Sequence, residues 1–129
     1  MEENNKAQTV TADILLAHGS KDPIWRKSFE DLLEKSRKSS PKKIFFLCYL
    51  ELCRPTLSET VKDLAVSNYK ISTIKIHPIF LSAGVHFNED IQTIVSDLKA
   101  IYPHLNFNIN DVVGSNRIVS NAILKVVTS

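Results

Sequence analysis

Residues 14–23, ILLAHGSKDP, carry an apolar run straight into a His-Gly-Ser turn and then an Asp-Pro pair. Residues 13–17 read as a buried parallel strand, because a strand covered on both faces shows a continuous apolar run rather than alternation. The Asp-Pro pair reads as the start of a helix over residues 22–40. Asp22 can cap it, Pro23 fits its first turn, and Ile24, Trp25, Phe29, Leu32 and Leu33 fall at helical spacing.

The same alternation continues down the chain. Residues 42–50, KKIFFLCYL, are a second, almost wholly apolar strand. Pro55 and Thr56 open a helix with Leu57, Val61, Leu64 and Ala65 on one side. Residues 69–81 read as a third strand. Residues 88–102 read as a helix with Ile91, Ile94, Val95, Leu98 and Ile101 on its stripe, stopped by Pro103. A weaker strand at 106–113 and a closing helix at 116–127 complete the series. Four strand–helix alternations predict an α/β fold of three layers, α/β/α, with a four-stranded parallel sheet covered by helices on both faces. Residues 13–129 then form one domain, preceded by a disordered polar tail at 1–12.

Composition narrows the classes of function. The chain has 129 residues, 43% of them apolar and 23% charged, which is ordinary globular usage. A formal charge of +2 gives no footing for nucleic acid. No apolar stretch reaches the roughly 18 residues needed to span a bilayer, so no membrane role is expected. The first residues, MEENNKAQTVTA, have neither a basic start nor an apolar core, which argues against secretion and for a cytoplasmic protein. Cys48 and Cys53 match neither a disulfide framework nor a metal motif and read as reduced thiols.

In open parallel sheets, ligands gather at the carboxyl ends of the strands. The three glycines, Gly19, Gly84 and Gly114, each follow a predicted strand, and glycine permits tight turns and close approach of backbone to a ligand. His18, Glu51 and His86 fall on the same edge. Two imidazoles and a carboxylate suit Co²⁺, Ni²⁺, Fe²⁺ or Zn²⁺. Taken singly, His18 also reads as a turn histidine and Glu51 as a solvated carboxylate. Their convergence on one edge makes them a site. His77, inside the third strand, reads as a packed histidine with a backbone partner, and His104 as an exposed loop residue.

Three stretches in order, AHGSKDP (17–23), YLELCRPTLSETV (49–61) and HPIFLSAGVHFNEDI (77–91), resemble the small single-domain sirohydrochlorin chelatases of the CbiX type. The resemblance implies a class II chelatase-like, flavodoxin-like half-domain. It also implies insertion of a divalent metal into sirohydrochlorin, a tetrapyrrole with eight carboxylates, in cobalamin or siroheme synthesis. Co²⁺ comes first, with Fe²⁺ or Ni²⁺ next, as substrate and not as a bound cofactor. His18 and His86 would handle the metal, His18 would also accept a proton, and Glu51 would be the site carboxylate. Phe80, Leu81, Ser82, Ala83, Gly84 and Val85 would lie along the macrocycle.

Two positions depart from the family pattern. Arg54 stands where many relatives have an acidic residue; its guanidinium could pair with a substrate carboxylate instead. Ala17 replaces a more usual glycine. The alternatives are a non-catalytic metal or tetrapyrrole carrier on the same fold, and a histidine phosphatase. The phosphatase would want an arginine beside His18, where Ala17 stands. One sheet edge covers only one face of a flat ring, so a homodimer is expected. Trp25, or a stripe of Val119, Ile123 and Val127, could supply its contact, and both are equally explained as core.

Overall fold

The computed structural model describes residues 10–82 and 84–129. Four strands, β1 (Val10–Ala17), β2 (Ile44–Tyr49), β3 (Ile71–Pro78) and β4 (Asn106–Ile109), form one sheet in the order β2-β1-β3-β4. All three pairings are parallel, as expected. Helices α1 (Pro23–Ser39), α2 (Leu57–Ala65), α3 (Val85–Ile101) and α4 (Arg117–Thr128) connect or follow them. A short 3₁₀ turn at Val113–Ser115 leads into α4.

The local signals act as the sequence suggests. Asp22 caps α1 by accepting the Ile24 N–H at 2.9 Å. Thr56 caps α2 in a reciprocal box, its hydroxyl accepting the Glu59 N–H while the Glu59 carboxylate accepts the Thr56 N–H. The first strand starts earlier than expected. Val10, Thr11 and Ala12, assigned to the tail from sequence, pair with β3 or β2, because ladder partners outweigh the polar look of that stretch. Residues 1–9 lie outside the described residues.

Ala12, Ile14 and Leu16 point to one face of the sheet and meet Cys48, Ile74 and Ile76. Leu57, Val61 and Leu64 of α2, with Ile91, Val95 and Leu98 of α3, close over them. On the other face, Leu15, Ala17, Leu47 and Tyr49 pack on Trp25, Phe29 and Leu33 of α1.

The expectation that helices cover both faces holds only in part. None of the residues of α4 is buried, and Ile118 and Val126 are 78% and 73% exposed. The strip α4 would have covered explains this. With Ile74 and Ile76 turned to the core, β3 shows Thr73, Lys75 and His77 on its other side, and Asn108 of β4 lies beside Lys75. An apolar helix laid there would strip water from an ammonium and several amides without replacing their hydrogen bonds.

Candidate active site

The site is built where β1 and β2 stay paired past their ends. The Leu50 N–H donates to the Ala17 carbonyl at 2.9 Å, and the Glu51 N–H donates to the His18 carbonyl at 3.0 Å. Gly19 makes that pairing possible. Its φ is +113°, and a Cβ at this position would sit 1.7 Å from the Glu51 carbonyl oxygen. Glycine follows His18 because any side chain would push the two loops apart.

The pairing sets His18 and Glu51 side by side, with His18 Nε2 3.0 Å from Glu51 Oε2 and side chains 35% and 59% exposed. With the carboxylate ionised, Nε2–H is the donor, so Nδ1 of the neutral ring keeps its lone pair. Such a pair can take a proton or lend a nitrogen to a metal, while the carboxylate balances the charge.

His86 lies in the first turn of α3, because the helix begins at Val85 rather than at 88 as the spacing suggested. It is exposed, and among the described residues no group of three or more His, Cys, Asp or Glu side chains is placed to hold a metal ion. The structure joins His18 to Glu51 directly, and His86 follows at the helix start, one residue before the Phe87 ring that meets His18. Gly84 is the N-cap of α3 and supplies no side-chain hydrogen bond. Unlike Gly19, it faces open space, with nothing within 4 Å of a Cβ built there.

Of the remaining residues assigned to the macrocycle, Leu81 and Val85 are each 68% exposed, Ser82 is exposed, and Phe80 packs partly on the core. Ala83 lies outside the described residues. Arg54 is exposed and its guanidinium pairs with Glu59, in the first turn of α2. That guanidinium, with the Thr56 N–H, holds the Glu59 carboxyl down to about 2.

Two residues were missed from sequence. Phe87 sets its ring edge-on to His18, centroids 5.1 Å apart. Leu52, in a left-handed conformation at φ 72°, is an exposed large apolar side chain in the connection after β2, and Ile24, expected on the apolar stripe of α1, is instead 82% exposed because it sits in the helix's first turn, beyond the sheet. The signal for Phe87 was its position directly after His86, obscured by starting the helix one residue later. Position 52 carried no signal, since a leucine does not announce positive φ.

His77, by contrast, is held by side chains and not by a backbone group. Its Nε2 lies 2.8 Å from Asp13 Oδ1 and its Nδ1 3.1 Å from Asn110 Nδ2. Both ring nitrogens are occupied, so it is a packing residue. His104 is exposed in a turn, its ring edge-on to Tyr102.

The fold is an open parallel α/β sheet whose strand-end loops set an imidazole against a carboxylate at the carboxyl edge, the place where ligands of such sheets gather. The chain belongs to the CbiX family, whose model matches residues 12–129. A sirohydrochlorin cobaltochelatase of Methanopyrus kandleri is 34% identical over 82 residues, covering 64% of this chain and 56% of that protein. The chain therefore aligns with little more than half of that relative's length. One from Sulfurisphaera tokodaii is 29% identical, covering 68% of this chain and 70% of that one.

Among solved structures, a cobalamin (vitamin B12) biosynthesis CbiX protein from Marinobacter aquaeolei superposes with a TM-score of 0.79 at 30% identity, over 92% of both chains. SirB from Bacillus subtilis with Fe³⁺ superposes at 0.77 with 19% identity, over 91% of this chain and 46% of that one. The second likeness is one of fold alone.

Proposed function

We propose that this chain is a chelatase that inserts a divalent metal into sirohydrochlorin, Co²⁺ first and Fe²⁺ or Ni²⁺ next. The observation that carries the reading is the His18–Glu51 pair at 3.0 Å on a sheet edge that also presents the exposed apolar side chains Leu81 and Val85. A flat tetrapyrrole offers apolar faces, a carboxylate rim and two inner N–H protons that must leave as the metal enters. The exposed side chains suit the faces. The lone pair at His18 Nδ1 suits proton removal or a first contact with the metal, and Glu51 offsets the cation formed on the ring. His86, at the exposed start of α3, suits delivery of the ion from solvent to His18. Ser82, Gly84 and Arg54 would meet the rim of the ring, Arg54 only by loosening its pair with Glu59.

The working assembly in this reading is a homodimer in the cytoplasm. It is supported by the apolar residues left exposed on α4 and by a site open on one side. A two-fold pairing would supply the second wall a flat ligand needs. Among the described residues no helix is long and apolar enough to cross a membrane.

The test mixes purified protein, sirohydrochlorin and Co²⁺ and follows the absorbance change against a blank without protein. Acceleration is expected, falling about 10²- to 10⁴-fold in His18→Ala. Tight stoichiometric ring binding with no insertion of Co²⁺, Fe²⁺ or Ni²⁺ would make the chain a carrier instead. Light scattering after size exclusion should give the mass of two chains, and of one chain for the double variant Ile118→Ser, Val126→Ser.

A further inference from the structure

The aromatic side chain beside His18 has a placement that core packing does not explain. Phe80 belongs to the apolar residues packed against the buried core, whereas Phe87 belongs to neither core cluster. Its ring instead stacks on Phe80, centroids 5.2 Å apart at 26°, and meets the His18 ring at 5.1 Å and 85°. The result is a file of groups from the interior outward: core, Phe80, Phe87, His18, Glu51.

We infer that Phe87 is a positioning residue that fixes the ring plane of His18. The reasoning rests on the freedom His18 would otherwise have. Its backbone is fixed by the paired loops, but a side chain one-third exposed on a strand end still turns about two bonds. Glu51 restrains one nitrogen, and at 59% exposure that carboxylate swings with solvent and is contested by water. An edge-on aromatic ring, itself stacked on a residue anchored in the core, supplies the second restraint, because such pairs have a preferred geometry that plain apolar contact lacks. Two restraints fix the plane, and the plane determines where Nδ1 points. Phe87 also follows His86 in the first turn of α3, so one helix start both presents His86 and braces His18.

This inference rests on the chelatase reading only for its kinetic consequence. Phe87→Leu keeps apolar bulk and helix-forming tendency while removing the ring. In metal insertion, Phe87→Leu should lower kcat by about ten- to a hundredfold with KM changed less than about twofold, since small misplacements of a reacting group cost that much. Phe87→Tyr should restore most of the loss, because it returns the ring. A rise in KM at unchanged kcat would overturn the inference and make Phe87 a ring-contact residue. Equal activity of Phe87→Leu and wild type would overturn it too.

NMR supplies a readout that needs no activity. Nuclear Overhauser contacts between the Phe87 ring and the His18 ring protons should be present in the wild type. The His18 ring-proton shifts should move in Phe87→Leu and return in Phe87→Tyr. Absence of those contacts in folded protein overturns the placement. If they are present but no metal is inserted by the wild type, the chelatase reading fails while the bracing of His18 stands.

Discussion

The two faces of the sheet are made from the same strands and end in opposite states. On one, Ala12, Ile14, Leu16, Ile74 and Ile76 are fully buried under α2 and α3. On the other, α1 seals β1 and β2, but the β3–β4 half presents Thr73, Lys75, His77 and Asn108 to no buried helix, and α4 stands off with its apolar side chains bare. The difference comes from alternation along β3 and β4. Where every second residue is polar, a strand closes only one of its sides. What helix follows such a strand does not decide whether that helix docks.

Two substitutions separate the faces and a third tests a surface pair beside them, in falling order of effect. Leu16→Ala removes a fully buried side chain from the sealed face and should cost about 2–5 kcal/mol in urea unfolding. On the half-open face, His77→Ala leaves the buried Asp13 carboxylate without its 2.8 Å partner and should cost roughly 1–3 kcal/mol. A cost as large as that of Leu16→Ala would mean that the polar strip is structurally equivalent to the core.

The smallest effect belongs to the exposed start of α2, is present in full at neutral pH and is lost in acid. Arg54 holds the Glu59 carboxyl down to about 2 from 4.5. A depressed carboxyl stabilises the fold above its unfolded pKa, and that contribution fades as pH falls from about 4.5 toward 2. Glu59→Gln should therefore be less stable than wild type at neutral pH, with the difference shrinking through that window. A gap that stays constant to pH 2 would break the assignment.

How far the chain could be read without coordinates follows the same division. The four strands, their parallel sense, the cap at Asp22 and the helix opening at Pro55 and Thr56 were legible, since each follows from a local pattern or from strand–helix alternation. The pairing of His18 with Glu51 was legible as a shared edge but not as a contact. It depends on Gly19 closing onto a carbonyl 32 residues further on, which no local pattern encodes. The bracing ring of Phe87 and the side-chain partners of His77 were invisible for the same reason: Asp13 and His77 meet only because β1 and β3 are neighbours. The unpacked α4 was the opposite case. Its apolar residues were plain in the sequence, and the polar strip facing its place was plain too, but the two were never set against each other.

Gly114 ties that helix to the site. Its N–H donates to the Phe80 carbonyl at 2.9 Å, and a Cβ there would lie 1.7 Å from the Leu81 carbonyl oxygen. The turn that launches α4 and the loop after β3 that carries Phe80 and Leu81 are therefore tied directly to each other. A partner that seats α4 would press on the same backbone that carries Leu81. In the proposed reading, with a ring resting at Leu81, any coupling between that ring and the seating of α4 would be reciprocal, each changing the other by the same factor.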